Sequence, residues 1–184
     1  MNAYKLKGQP LSETSDAAPA AGWRRWAVSG GGLGLLKPAP GSWGTLGPAV
    51  LYALLLWIGP AEPLRTLICV GGIVLVAGLL IWLAPWAESF FGRADPGQVV
   101  LDEYAGFWAA CLLLPLPTTI PGHIGMSLLL TGIIYILFRL CDILKLPPCR
   151  QLERLPAGWG ILLDDIAAGA QVNVLLQIAF RVWH

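Results

Sequence analysis

Five apolar runs, separated by short polar or Gly/Pro-rich stretches, fill most of the chain after residue 42. A helix that crosses the hydrocarbon of a bilayer needs about 20 apolar residues, within a range of roughly 17 to 25. The run "TLICVGGIVLVAGLLIWLAPWA" (66–87) meets this without a single charge. "WGTLGPAVLYALLLWIG" (43–59) reaches the lower limit, "YAGFWAACLLLPLP" (104–117) needs residues 99–103 to qualify, and "HIGMSLLLTGIIYILF" (123–138) is short. The last run, 159–183, contains Asp164 and Asp165 and then continues as "IAAGAQVNVLLQIAF". "GPAEP" (59–63) and "PLPTTIPG" (115–122) supply tight turns between runs. The pattern predicts an all-α polytopic membrane helix bundle with four or five membrane segments. Residues 1–22 lack the apolar core of a signal peptide and are expected to form a disordered cytoplasmic tail, leaving 23–184 as one membrane-embedded domain.

Composition agrees. Only 12% of the 184 residues are charged and 56% are hydrophobic, with a mean hydropathy of +0.66. A soluble domain carries about 25% charged residues, so this chain has too few polar groups to cover a water-facing surface. The net charge of +1 gives no basic excess for nucleic acid. Cys69, Cys111, Cys141 and Cys149 form no C-x-x-C and are expected to be free thiols. No obligate protein partner is evident.

Charge also orients the bundle. With the N-terminus inside and all five runs crossing, Lys5, Lys7, Arg24, Arg25, Lys37, Arg93, Arg139, Lys145, Arg150 and Arg154 fall on the cytoplasmic side. Arg65 and Arg181 fall outside, as the positive-inside rule requires. Every acidic residue except Glu62 then lies on, or just within, the cytoplasmic side, and so does any polar site.

Three segments on that side carry the candidate chemistry: 30–45, 87–106 and 138–169. Asp102–Glu103 and Asp164–Asp165 are adjacent acidic pairs, each followed by apolar sequence. A lone Asp at the centre of a membrane helix costs about 2.5–3.5 kcal/mol on insertion scales, less near the interface. Two such pairs call for a compensating cation unless they form a solvated rim, and Mg2+ favours carboxylate oxygens together with water and phosphate. Asp142 and Lys145, at i and i+3, can share a helical face, either as a surface ion pair or with the lysine on a phosphate oxygen. Arg139, Arg150 and Arg154 fit headgroup-level anchors, and one of them can hold an anion. "AAGA" (167–170) reads as small-residue helix packing. The cysteine-phosphatase C-x5-R loop and the aspartyl-phosphate D-x-D-x-T/V motif are absent.

Three motifs, in order, resemble the phosphatidylglycerophosphatase A family. They are A-E-x-x-x-G-x-x-D-P-G-x-V-V-x-D-E-x-x-G (87–106), F-R-x-x-D-x-x-K (138–145) and G-x-G-I-x-x-D-D-x-x-A-G (158–169), preceded by "APGSWGT" (39–45). The similarity runs over roughly 28–180. Departures are Ser42 and Thr45, which exchange hydroxyl types, Leu146 in place of a common Pro, and Ala157 in place of a Gly. The resemblance implies a Mg2+-dependent enzyme that removes the terminal phosphate of phosphatidylglycerophosphate, a membrane phospholipid, at the inner membrane of bacteria. It implies Glu88, Asp95, Asp102, Glu103, Asp142, Asp164 and Asp165 as the acidic positions and Lys145 as the basic one.

The expected division of labour follows. Asp102, Glu103, Asp164 and Asp165 are assigned to the metal, and Glu88, Asp142 and Lys145 to catalysis. Ser42, Thr45, Asp95, Arg139 and Arg150 are assigned to substrate binding. The alternatives are a broader lipid phosphatase and a small cation or proton transporter. Gathering of the acids at one face argues against a pathway across the bilayer.

Overall fold

The computed structural model describes residues 18–93, 95–116, 120–153, 155 and 158–183. The expected tail lies mostly outside the described residues, although helix α1 (Ala18–Val28) begins within its last residues. Six further helices follow: α2 (Pro40–Ile58), α3 (Glu62–Phe91), α4 (Leu101–Ala110), α5 (Ile124–Leu144), α6 (Cys149–Leu152) and α7 (Gly158–Trp183). Four of them, α2, α3, α5 and α7, are long and apolar enough to cross a membrane. Their outward faces carry exposed apolar side chains such as Leu67, Leu75, Trp82, Ile136, Ile143 and Ile178. A continuous apolar exterior of this kind is stable only against lipid, so the protein is a membrane protein.

The third apolar run does not form a full spanning helix. α4 has 10 residues, about 15 Å of helix against about 30 Å of hydrocarbon. The helix ends at Ala110, where the Cys111 N–H turns back to the Trp108 carbonyl at 3.0 Å and Leu113 takes a left-handed φ of 54°; Pro115, which lacks an N–H, then bars its resumption. The chain nevertheless runs on from one end of the bundle to the other. The Val100 N–H donates to the Val28 carbonyl at 2.9 Å, and the Leu113 N–H donates to the Thr66 hydroxyl, in the first turn of α3, at 3.1 Å.

Irregular backbone at membrane depth survives only where protein satisfies it, and here the partners are explicit. Asn173 Nδ2 on α7 donates to the carbonyls of Ala110 (3.1 Å) and Leu112 (2.6 Å), and Gln177 Nε2 donates to that of Leu113 (2.9 Å). Arg65 donates to the Leu114 carbonyl at 3.1 Å.

α4 is the centre of the bundle. Phe107 is fully buried and packs edge-on against both Tyr52 of α2 and Phe138 of α5. On its other side α4 meets α7 at backbone distance: a Cβ on Gly106 would lie 2.6 Å from the Asp165 carbonyl oxygen, and one on Gly169 would collide with the Gly106 carbonyl. Within "AAGA", Gly169 and the buried Ala168 are packing positions, as expected, while Ala170 is exposed. All four cysteines are free.

Candidate active site

The close α4–α7 contact sets the site. Asp102 and Glu103 stand in the first turn of α4, one turn before Gly106, and Asp165 belongs to the residue whose carbonyl Gly106 touches. The result is a cluster in which one carboxylate oxygen from each of Asp102, Glu103 and Asp165 lies within 4.8 Å of the others. All three side chains are buried, and Asp102 Oδ1, Glu103 Oε2 and Asp165 Oδ2 have no hydrogen-bond partner. Three buried carboxylates this close lose hydration and repel one another when charged, with Arg139, 4.0 Å from Glu103, as a neighbouring countercharge, and a bound cation relieves both penalties. An all-oxygen set that accepts bonds and offers none suits a hard divalent ion. These residues can hold a metal ion.

Asp164, expected beside them, does a different job. Adjacent helical residues point about 100° apart, and its Oδ2 accepts from Lys145 Nζ at 3.0 Å while Asp165 joins the cluster. Lys145 also pairs with Glu153 at 2.8 Å. Burial alone would lower the lysine's pKa, but the hydrogen bonds and charges of Glu153 and Asp164 outweigh it and raise it, so the ammonium stays charged.

The Asp142–Lys145 ion pair, one of the two readings of their spacing, does not form. Lys145 is the C-cap of α5 in the left-handed conformation (φ 46°), which takes its side chain off the helical face it would have shared with Asp142. Asp142 pairs instead with Arg139 at 2.8 Å. Arg139 reaches Glu103 at 4.0 Å and donates to the Thr45 hydroxyl at 3.4 Å, which connects α5 to both α4 and α2.

Together these groups line a cavity of about 220 Å3 at the end of the bundle where α2 begins and α5 ends. Its wall includes Asp95, Asp102, Glu103, Arg139, Asp142, Lys145, Asp164 and Asp165. A larger cavity of about 320 Å3 lies at the opposite end, around Arg65 and Leu114, away from the acidic cluster.

The family model for phosphatidylglycerophosphatase A matches residues 26–180, which include every wall residue of this cavity. The chain belongs to the phosphatidylglycerophosphatase A family. A phosphatidylglycerophosphatase A from Haemophilus influenzae is 31% identical over 155 residues, covering 84% of this chain and 86% of the relative. One from Escherichia coli is 30% identical over 173 residues, covering 88% and 85%. A putative phosphatidylinositol-3-phosphatase from Bacteroides thetaiotaomicron is 30% identical over 151 residues, covering 82% and 89%. No solved structure matches. The protein is a phosphatase of the phospholipid type that defines the family.

Within this phosphatidylglycerophosphatase A fold, not every expected residue reaches the cavity. Glu88 is half-buried near the end of α3 and Arg150 is exposed on α6, and neither is part of the wall. Thr45 is buried and accepts from Arg139, the Ser42 carbonyl accepts from Tyr135 Oη at 3.0 Å, and neither residue is part of the wall. Sequence reasoning missed Glu153, the second partner of Lys145, and Gly41, where a Cβ would sit 2.5 Å from Glu103 Oε1. Glu153 carried no separate signal among the charges of 138–169. Gly41 lies inside the "APGSWGT" motif, whose close approach to an acid only the fold reveals.

Proposed function

We propose that the protein hydrolyses the terminal phosphate of phosphatidylglycerophosphate, giving phosphatidylglycerol and inorganic phosphate. It would do so with Mg2+, at the inner leaflet of the bacterial cytoplasmic membrane, with its N-terminus cytoplasmic. The observation that carries this reading is the cluster of three buried, unpartnered carboxylate oxygens, next to Arg139 and Lys145, at one end of an apolar bundle. Asp102, Glu103 and Asp165 would hold the ion, which when bound polarises the phosphoryl group and acidifies water.

The chain's own groups do the rest. Lys145 is kept charged by Asp164 and Glu153, and with Arg139 it offsets the negative charge of the phosphate as the transition state forms. Asp142 lines the cavity and pairs with Arg139 at 2.8 Å, a position from which its carboxylate accepts the proton of the attacking water and returns it to the departing alkoxide. The P–O bond to the glycerol breaks as the bond to water forms, and the lipid leaves as an alcohol. The surrounding apolar belt keeps the acyl chains in the bilayer while the headgroup enters the cavity.

A second reading, an inositol lipid monophosphate as substrate, is favoured by the name of the Bacteroides relative. The deciding experiment is phosphate release by the purified, detergent-solubilised protein from phosphatidylglycerophosphate, phosphatidylinositol 3-phosphate and phosphatidic acid, with Mg2+ or with EDTA. Mg2+-dependent release from the first alone supports the proposal. Preference for the inositol lipid overturns it in favour of the second reading, and release from none overturns both.

A further inference from the structure

Just below the polar cavity, α2 and α5 part to leave an apolar groove of about 170 Å3. Leu46, Val50 and Ala53 of α2 and Leu128, Gly132 and Tyr135 of α5 form its walls. Two bonds pin the helices together at the end nearest the cavity: Tyr135 Oη to the Ser42 carbonyl at 3.0 Å, and Arg139 to the Thr45 hydroxyl at 3.4 Å. Tyr135 lines the groove and Arg139, one turn further on, lines the cavity. The groove therefore opens where the polar site ends.

Beyond these bonds the lining includes the small residues Ala49, Ala53 and Gly132. A Cβ on Gly132 would meet nothing within 4 Å, so this glycine does not serve close helix packing. One polar side chain lies in the groove's lining. Thr131 is only 4% exposed, and its Oγ1 is buried with no hydrogen-bond partner. A threonine hydroxyl within a helix commonly bonds back to the carbonyl four residues earlier, and this one does not.

We propose that the groove seats one acyl chain of the phospholipid substrate, with the Thr131 hydroxyl donating to that chain's ester carbonyl. The inference rests on the phospholipid phosphatase reading of the site and deepens it. Thr131 lies eight residues before Arg139 on α5, about 12 Å along the helix axis. In phosphatidylglycerophosphate about a dozen bonds of roughly 1.5 Å each separate the terminal phosphate from an ester carbonyl, enough to cover that span while bent. The stretch from Tyr135 to Thr131 takes the lipid's glycerol, and from Thr131 the groove guides the start of the chain toward Leu128, three residues or about 4.5 Å further along α5. The remainder extends into the bilayer.

The test compares dioleoyl phosphatidylglycerophosphate with its deacylated analogue, which carries neither acyl chain nor ester, using wild-type protein and the Gly132→Leu and Thr131→Val variants in detergent micelles with Mg2+. Gly132→Leu fills the groove from a position where added atoms meet open space. It lowers kcat/KM for the dioleoyl substrate by about tenfold, as expected for a misplaced headgroup, and leaves the deacylated substrate unchanged. Thr131→Val keeps the shape and lowers kcat/KM for the dioleoyl substrate as well. Equal effects on both substrates, or none on either, would overturn the groove while leaving the phosphatase reading intact. Absence of release by the wild type from both substrates would overturn that reading and the groove with it.

A dioleoyl-type substrate carrying a photoreactive group on one acyl chain close to its ester gives a second readout on the unaltered protein, made in excess phosphatidylcholine. Adducts confined to residues 46–53 and 128–135 support the assignment. Adducts spread over the outer faces of α3 and α7 reduce the groove to a site for bulk lipid and overturn it.

Discussion

Replacing Gly106 with alanine drives a methyl group into the contact that brings the carboxylates together. The new Cβ would stand 2.6 Å from the Asp165 carbonyl oxygen and 2.8 Å from a ring carbon of Phe138. Ordinary heavy-atom contact begins near about 3.5 Å, so α4 and α7 must separate by nearly 1 Å, roughly one turn from Asp102 and Glu103. Overpacking of this size destabilises a well-packed interior by about 1–3 kcal/mol. The larger effect falls on function, because misplacing reacting groups by about 1 Å can cost about 10²-fold. The assay is initial phosphate release as a function of Mg2+ concentration, together with a thermal melt in the same detergent. The expected result is a fall of about a hundredfold in kcat/KM and a higher Mg2+ concentration for half-maximal rate, from protein that still melts cooperatively. Gly78→Ala is the control, since a Cβ there meets nothing within 4 Å, and its kinetics stay at wild-type values. Wild-type rate and Mg2+ dependence in Gly106→Ala would refute the argument that the α4–α7 contact sets the site.

Further expectations concern single groups. Asp102→Asn and Asp165→Asn each remove a charge from the buried cluster and lower Mg2+-dependent release by more than about 100-fold, since even outer groups around a metal site cost 10–100-fold; retention of activity in either variant removes that residue from the metal set. Lys145→Gln leaves Asp164 buried without its cation and lowers both stability and kcat, whereas Glu153→Gln alters a side chain that is 47% exposed and changes the melting temperature little; equal losses in the two variants would contradict this ordering. Asn173→Leu strips donors from the Ala110 and Leu112 carbonyls and destabilises the protein by about 1–3 kcal/mol, read as a lower thermal midpoint with activity retained well below it. An unchanged midpoint would mean that these carbonyls find other partners.

The acidic motifs and the helical membrane bundle were legible in the sequence because each depends on local pattern. Length and apolarity identify α2, α3, α5 and α7, and the low charge content excludes a water-facing surface. The break after α4 was not legible to the same reading, since "ACLLL" is as apolar as any helix and nothing in it announces the left-handed turn at Leu113. The significance of Asn173 and Gln177 was hidden for a related reason. A polar residue in a membrane helix announces a partner, but not that the partner is the irregular backbone of another segment.

The assignment of the acids shows the same limit most sharply. Asp164 and Asp165 are identical in type and adjacent in sequence, so composition cannot say which one meets Asp102 and Glu103. The choice is made by Gly106 and Gly169, which fix how closely and at what rotation α7 lies on α4. Once that contact is set, the 100° between neighbouring helical positions sends Asp165 into the cluster and Asp164 to Lys145. Asp102 and Glu103 escape this division because their shared helix begins there. In the first turn of α4 both carboxylates lie near the positive end of the helix dipole, and Glu103 is held from the far side by Arg139. One acidic pair thus serves a single purpose and the other is split between two, a distinction made by the placement of two glycines and not by the acids themselves.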